Sequence, residues 1–262
     1  MDSDAIAVAM IYKPGSVFPT NGSTPAVLND AVASSLGFDT TLEPIFDGPS
    51  TNRWSLAVSF THRQSRQIVT VFVNHLKSKS CSSAQGLDED KNNGAGCWNN
   101  QRLRAAQVIS SWIKSYPTGI KCSNAVILGD FNSYAKEDPV HYLVEQGGLV
   151  NLEPETAYSY TFNGQIGTLD YVLVSKSLLE FNPKAEVWHA NSLEPPALDY
   201  NLDYKRDSSY FNKETAIRYS DHDPALLGMT LKKRKSCITQ ACCIDQPALK
   251  GDVDNDGTFD EL

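Results

Sequence analysis

Short apolar runs bounded by Gly, Pro and Asn recur along the chain. They are rich in β-branched and aromatic residues and predict strands at residues 5–12, 55–60, 68–74, 125–128, 171–174, 185–188 and 225–231. Between two of these strands, apolar residues three to four apart predict a helix that is capped by Asn99 and Asn100 and extends to Ile113. A shorter helix is predicted for residues 139–146. Strands and helices that alternate in this way predict a layered α/β or α+β sandwich.

Size and composition are those of one globular domain with a short appendage. The chain has 262 residues, of which 41% are hydrophobic and 21% are charged. After Leu231 the sequence changes to the basic run 232–235, a cysteine cluster and an acidic tail, which predicts a domain at 1–231 and an appendage at 232–262. The basic run is either a solvated linker or a contact to nucleic acid. No apolar stretch is long enough to span a bilayer, and the first residues lack the features of a signal peptide.

Six cysteines predict disulfide bonds and an oxidising compartment. They are Cys81, Cys97, Cys122, Cys237, Cys242 and Cys243. No Cys-x-x-Cys and no histidine at zinc-finger spacing occurs, so a metal ribbon is disfavoured. Cys81 and Cys97 bracket a polar loop and are predicted to pair, and Cys122 is predicted to pair with one of the other three. Buried free thiols in a cytosolic protein are the alternative.

Four blocks of polar residues follow predicted strands, at 73–79, 127–132, 167–174 and 220–224. Strand ends in layered α/β folds are where ligand clefts lie. Asp130, Asn132 and Asp221 supply hard oxygen donors, which suit Mg²⁺, Mn²⁺ or Ca²⁺. Each block alone is typical of an ordinary turn or helix cap. Their occurrence together, in this order, indicates a catalytic site.

Two histidines are the predicted acid–base residues. His222 can act as a general base if Asp170 holds its other ring nitrogen. As a cation, His75 can stabilise charge on a transferring phosphoryl group or protonate the leaving oxygen. Lys77, Lys79 and Arg53 are the predicted phosphate contacts.

The formal net charge of −8 argues at first against a nucleic-acid substrate, because affinity for phosphates comes largely from Lys and Arg. Five of the 31 acidic residues lie in the tail. Others lie in the blocks where a cation would reverse the local charge. The net charge therefore does not exclude nucleic acid.

At these blocks the sequence closely resembles the endonuclease/exonuclease/phosphatase superfamily, and within it the extracellular bacterial nucleases related to pancreatic-type deoxyribonuclease. The most specific marks are Asn-His-Leu-Lys-Ser-Lys at 74–79, Gly-Asp-Phe-Asn at 129–132, Tyr-Thr-Phe-Asn-Gly at 160–164, Gly-Thr-Leu-Asp-Tyr at 167–171 and Ser-Asp-His-Asp-Pro at 220–224. The resemblance implies an α/β (α+β) fold, a two-sheet sandwich flanked by helices, that cleaves DNA with one or two divalent cations. It also implies that Asp4 orients His75 and that Asn74 and Arg53 contact the substrate phosphate.

The chain departs from that family at its start. The family begins with a strand that carries an Asn and continues to a strand that carries a metal-binding Glu, both upstream of the strand predicted at 5–12. We therefore expect a fold that lacks its first strands, in a fragment of reduced or no activity.

The acidic tail resembles the start of a dockerin-type calcium repeat. Asp252, Asp254 and Asp256 stand at positions 1, 3 and 5 of a calcium loop, and Asp260 stands at position 9. A solvated acidic tail is the alternative.

The expected function is that of a secreted, monomeric, metal-dependent endonuclease acting on DNA, with RNA as a further candidate substrate. Mg²⁺ or Mn²⁺ is the expected cofactor, with Ca²⁺ as a second cation. Two alternatives remain open: a phospholipid or inositol-phosphate phosphoesterase of the same superfamily, and a non-catalytic calcium-binding remnant.

Overall fold

A computed structural model describes residues 6–199, 207–210, 214–215 and 217–233. The strands are β1 Val17–Pro19, β2 Ala26–Leu28, β3 Ser55–His62, β4 Ile68–His75, β5 Ala125–Asp130, β6 Val150–Asn151, β7 Tyr160–Phe162, β8 Gln165–Gly167, β9 Asp170–Val174, β10 Lys184–Val187 and β11 Ala225–Gly228. The α-helices are α1 Asp30–Ser35, α2 Asn99–Lys114 and α3 Asp138–Glu145.

The main sheet has the strand order β1-β3-β4-β5-β9-β6, and β2 also pairs with β3. Strands β4 and β5 are parallel, and β9 is antiparallel to β5. In this register His75 lies opposite Asp130, and Asp130 lies opposite Asp170. The sheet therefore places three predicted site residues in one row across three neighbouring strands.

Helices cover one face of this sheet. The α2 residues Ile109 and Trp112 are buried against Phe72 of β4, with the Phe72 and Trp112 rings 5.4 Å apart edge to face. Leu143 of α3 and Ile127 of β5 belong to the same core. Each such buried side chain stabilises the fold by about 1.5–3 kcal/mol before entropy losses. The apolar residues three to four apart in α2 are thus the ones that face the sheet.

The opposite face of the sheet carries a second, smaller sheet. Val69, Val126 and Val172 are buried on this face and pack with Ala225 and Leu227 of β11, which pairs with β10. The predicted two-sheet α/β (α+β) sandwich flanked by helices is therefore confirmed. None of the helices in the described ranges has the length and apolar character needed to cross a bilayer.

The strand predicted at 5–12 is wrong over its described part. Residues 6–13 form no strand, and Ile11 is 97% exposed. The segment passes beside β3, where the Tyr12 ring lies 5.2 Å from the Phe60 ring. An apolar run becomes a strand only where another strand satisfies its backbone groups, and no described strand pairs with this one.

The predicted asparagine cap of α2 is also wrong. The N-cap residue is Trp98, in the left-handed region at φ 64°, and its side chain makes no capping hydrogen bond. A carboxylate from the preceding loop caps the helix instead, because Asp88 Oδ1 accepts from the Gln101 N–H at 2.9 Å. The Asn99 amide donates to Asp138 at the start of α3.

The loop before α2 is closed by the predicted disulfide between Cys81 and Cys97, whose Cα atoms are 5.2 Å apart. The Trp98 indole N–H donates to the Ser80 carbonyl at 2.8 Å and ties the loop to the end of β4. Cys122 is not a free thiol. Its predicted partners, Cys237, Cys242 and Cys243, lie outside the described residues.

Candidate active site

Four side chains converge where β4 and β5 end and β9 begins. Asp130 and Asp170 come from neighbouring strands, and His222 reaches them from the segment before β11, which bridges to Tyr160. Ligand atoms of Asp130, Asp170 and His222 all lie within 4.8 Å of one another. His75 Nε2 lies 3.3 Å from Asp130 Oδ2. Motifs separated by up to 147 residues, from His75 to His222, thus form one cluster.

The closest contact in this cluster joins His222 to Asp170. His222 Nδ1 lies 2.7 Å from Asp170 Oδ2. Ser159 supports the carboxylate, since its Oγ accepts from the backbone N–H groups of Leu169 and Asp170. The Tyr160 ring lies 4.6 Å from the imidazole ring. With Nδ1 engaged, Nε2 is the nitrogen that can exchange a proton with water or substrate.

The His222–Asp170 pair holds its proton tightly. Burial alone would lower the pKa of His222, but the hydrogen bond to Asp170 and the nearby charges of Asp170, Asp130 and Asp221 outweigh it and raise the pKa to about 9. Burial also raises the pKa of Asp170, and the contact with His222 opposes that rise. Positive charge brought close to Asp130 and Asp221 would favour the neutral imidazole that a general base requires.

Asp130 is fixed by the turn that follows β5. Its Oδ1 accepts from the Asn132 backbone N–H at 2.7 Å, and its Oδ2 accepts from Asn132 Nδ2 at 2.8 Å. Asn132 has a left-handed φ of 47°, which Asn tolerates better than most residues. The same Nδ2 also donates to the Leu76 carbonyl, so the amide oxygen is the part of Asn132 that can act as a ligand.

The residue before Asp130 must be a glycine. Gly129 has φ +130°, and a Cβ at this position would lie 1.9 Å from the Asn74 carbonyl oxygen of β4. The two strands therefore approach so closely that no side chain fits between them.

Gly129→Ala should destabilise the fold by about 2–3 kcal/mol. The added methyl group would push β4 away from β5, and alanine would also have to adopt an unfavourable positive φ. Urea unfolding monitored by tryptophan fluorescence measures the loss. Gly148→Ala is the matched control: Gly148 also has positive φ, +75°, but open space around its Cβ position. Equal losses in the two variants would contradict the close-approach argument.

The three predicted phosphate contacts have different surroundings. Arg53 borders the site, and its Nη1 donates to the Leu76 carbonyl at 3.1 Å. The Lys77 ammonium lies 5.2 Å over the Trp98 ring. The Lys79 ammonium is bound to Glu137 and lies 4.9 Å from the Tyr134 ring centre, so its charge is already paired. Lys79 would have to leave Glu137 before it could contact a phosphate.

Two other predicted residues are not part of the central cluster. Asn74 is 1% exposed, and its amide donates to the Leu128 and Phe72 carbonyls, so the adjacent strand keeps it from the cleft surface. Asp221 is exposed and is not one of the three grouped ligands. Asp4 lies outside the described residues. So do the predicted calcium ligands Asp252, Asp254, Asp256 and Asp260.

The cluster fits a hard divalent cation. Asp130, Asp170 and His222 each offer one ligand atom, and these atoms lie within 4.8 Å of one another. Carboxylate oxygens are the donors that Mg²⁺, Mn²⁺ and Ca²⁺ prefer. The Asn132 amide oxygen is an adjacent neutral donor.

Several polar residues around the site escaped the sequence prediction. Ser159 stands between two tyrosines and has no motif of its own, yet it is 0% exposed and supports Asp170. Asp223 and Asn191 hold the backbone around His222. The alternation of Tyr158, Ser159 and Tyr160 gave the only sequence signal for an inward polar group.

Glu153 is a partly buried acid near the cleft, and both of its carboxylate oxygens are buried. Neither carboxylate oxygen receives a well-aligned hydrogen bond within the described ranges, although the Val172 backbone lies near. Burial raises its pKa to about 7, and the charge of Asp170 adds to the rise. A raised carboxyl pKa gives stability that is present below the unfolded pKa of about 4.5 and is lost as pH rises through about 7.

Glu153→Gln should therefore raise the free energy of unfolding at pH 8 by about 1–2 kcal/mol and change it little at pH 4.5. Urea unfolding at the two pH values measures this difference. The exposed neighbour Glu155, changed to Gln, should show no pH-dependent gain. A Glu153→Gln effect that is the same at both pH values would contradict the burial argument.

Residues 68–222 match the Endonuclease/Exonuclease/phosphatase family. No curated protein sequence is significantly similar to the chain.

Solved structures give distant fold matches. One is the human nocturnin catalytic domain with a bound sulfate anion, at 16% identity and TM-score 0.41, covering 66% of this chain and 51% of that one. A second is an endonuclease/exonuclease/phosphatase from Bacteroides vulgatus, at 15% identity and TM-score 0.48, covering 84% and 69%. A third is D. rerio TDP2 with a single-strand DNA product, at 14% identity and TM-score 0.42, covering 82% and 69%.

The chain spans about half the length of the nocturnin domain. The family match, by contrast, covers more than half of the present chain and includes His75, Asp130, Asp170 and His222. The chain therefore belongs to the Endonuclease/Exonuclease/phosphatase family.

Proposed function

We propose that the chain is a secreted, metal-dependent endonuclease that hydrolyses phosphodiester bonds of DNA. Members of its family hydrolyse phosphoester bonds and generally depend on divalent metal ions. The observation that carries the proposal is the His222–Asp170 contact at 2.7 Å beside the carboxylate of Asp130. A base–orienter pair next to a hard-cation site is the arrangement that metal-assisted hydrolysis requires.

In this reaction His222 Nε2 removes the proton from the attacking water while Asp170 stabilises the resulting imidazolium. His75 faces the same site from β4. As a cation it stabilises the negative charge that develops on the phosphoryl oxygens, or it protonates the leaving oxygen. Asp130, with Asn132 and Asp221, would hold Mg²⁺ or Mn²⁺. When bound, that cation would supply positive charge that polarises the phosphoryl group and offsets the neighbouring carboxylates.

Substrate phosphates flanking the scissile bond would contact Arg53 and Lys77. Arg53 presents a fork of donors suited to phosphate oxygens, and Lys77 directly follows Leu76, whose carbonyl accepts from Arg53. Lys79 would join them only by leaving Glu137. RNA offers the same phosphodiester and is the second candidate nucleic acid.

The proposal of secretion rests on the Cys81–Cys97 disulfide, because disulfides persist in oxidising compartments. The same feature supports membership of the extracellular bacterial nuclease subgroup.

We further propose that the catalytic domain ends near residue 231 and that the appendage 232–262 follows it. Lys232, the first residue of this appendage, accepts at its carbonyl from Gln67 Nε2 on the domain at 3.0 Å. We propose that the protein acts as a monomer.

Substrate class is tested by incubating the protein with supercoiled plasmid, single-stranded RNA, sphingomyelin vesicles and inositol polyphosphate, each with Mg²⁺, Mn²⁺ or Ca²⁺. The proposal predicts that plasmid is cut at least tenfold faster than the lipid or inositol phosphate is hydrolysed. Faster release of phosphocholine or inorganic phosphate would favour the phosphoesterase alternative. No turnover of any substrate, together with Ca²⁺ binding, would favour the non-catalytic alternative.

A further inference from the structure

Asp223 directly follows His222, and its buried carboxylate contacts the segment 189–192. It is 2% exposed. It faces five donors from the segment 189–192: the backbone N–H groups of Ala190, Asn191 and Ser192 at 3.1, 2.7 and 2.9 Å, the Ser192 hydroxyl at 2.6 Å and His189 Nδ1 at 3.0 Å. Charged acceptors make the stronger hydrogen bonds, so one residue fixes the course of four others.

The same segment is bonded to the backbone of His222. Asn191 Nδ2 donates to the His222 carbonyl at 2.8 Å, and Asn191 itself is 1% exposed. The Asp223 N–H donates to the Ser159 carbonyl at 2.7 Å. Ser159 is the residue whose hydroxyl accepts from the Asp170 N–H. His222 is thus held on one side by Asn191 and on the other by the residue that supports Asp170.

Arg218 also holds segment 189–192 in place. This residue is 8% exposed and has a left-handed φ of 57°. Its Nη1 donates to the Asn191 carbonyl at 3.0 Å and its Nε lies 4.0 Å from Asp199. Segment 189–192 therefore has buried partners on both sides and can serve as a rigid support.

We infer that Asp223 is a positioning residue, which holds segment 189–192 against the backbone of His222 and so keeps the imidazole on Asp170. The inference rests on the proposed function, in which His222 takes the proton from the attacking water. A general base must keep its nitrogen within hydrogen-bond reach of that proton, and small displacements cost large factors in rate.

Asp223→Asn tests this inference, because it preserves shape but replaces one acceptor oxygen with an amino group that faces donors. We expect kcat on the best nucleic-acid substrate to fall about ten- to a hundredfold and KM to change less than threefold. In a His222→Gln background the same change should lower the rate less than twofold, since no imidazole remains to be positioned. An equal loss in both backgrounds, or a change in KM alone, would overturn the inference.

Asp30→Asn is the matched control. Asp30 is also buried, and its carboxylate also accepts from three consecutive backbone N–H groups, those of Ile45, Phe46 and Asp47. It should lose stability but keep kcat within twofold at equal folded concentration. If both variants lower kcat equally, Asp223 has only the general structural role of a loop acceptor.

A second readout does not depend on turnover. In a crystal structure of Asp223→Asn, we expect the His222 Nδ1 to Asp170 Oδ2 separation to exceed hydrogen-bond range. A retained 2.7 Å contact would overturn the inference even if the wild-type protein cleaves nothing. Should Asp223→Asn fail to fold, Asn191→Ala removes the side-chain hydrogen bond to the His222 carbonyl but keeps the backbone contact with Asp223, and it should lower kcat about three- to tenfold. An unchanged kcat in that variant would equally contradict the inference, whereas an inactive wild-type protein would contradict the proposed function instead.

Discussion

Replacing His222 with alanine should lower kcat on nucleic acid at least about a thousandfold, because it removes the group that takes the proton from the attacking water. General-base catalysis contributes about 10²–10⁴-fold, and the loss of the 2.7 Å contact also leaves the buried Asp170 carboxylate without its partner. Asp170→Asn should be milder but still severe, since the imidazole stays in place without its charge partner. Steady-state kinetics at saturating substrate measures both.

The control for this prediction is His62→Ala. His62 ends β3 at the opposite edge of the main sheet and bonds to Ser65, so its removal should change kcat less than twofold. If His222→Ala retains more than a tenth of the wild-type rate while His62→Ala behaves as expected, His222 is not the base.

Replacing Arg102 with methionine should destabilise the fold by about 3–5 kcal/mol. Arg102 is 0% exposed and lies 3.9 Å from Glu137. Its guanidinium donates to the Ser133 hydroxyl and to the carbonyls of Lys77, Cys97 and Ala95. Methionine fills the space but leaves these acceptors unpaired in a low-dielectric interior.

Arg104 provides the comparison on the same helix. Its side chain is 20% exposed, and its partner Glu43 is 63% exposed, so Arg104→Met should cost at most about 1 kcal/mol. Urea unfolding of both variants gives the difference. Losses of equal size would show that the buried network around Arg102 does not stabilise the disulfide loop and the end of β4.

The central pair could be predicted from the sequence because each partner lies in a specific motif. Asp170 follows Gly-Thr-Leu, and His222 lies within Ser-Asp-His-Asp-Pro. Both come directly before or after apolar runs that are strands or strand extensions, and strand ends meet at one edge of a sheet. The sheet register places Asp130 between His75 and Asp170.

The supports of that pair could not be predicted. Asp223 accepts from a segment more than thirty residues away, and nothing in the composition of 189–192 reveals this contact. The pairing of Lys79 with Glu137 likewise depends on where α3 begins relative to β4. Such contacts are set by tertiary packing of loops, which local pattern and propensity do not encode.

The errors have the same origin. Residues 5–12 have the composition of a strand, but composition cannot supply the neighbouring strand that would pair with them. Asparagine is a favourable N-cap residue, yet Asp88 of the disulfide loop, and not Asn99, accepts from the Gln101 N–H in the first turn of α2. In both cases tertiary partners override local preference.

The most direct test of the central claim is Mg²⁺-dependent nicking of supercoiled plasmid by the wild-type chain and by His222→Gln at equal folded concentration. The account predicts that the wild-type chain converts supercoiled plasmid to nicked circles in Mg²⁺ and not in EDTA, and that His222→Gln forms them at least about a thousandfold more slowly. Nicking that is equal in the two proteins, or that persists undiminished in EDTA, would contradict metal-assisted hydrolysis by the His222–Asp170 pair.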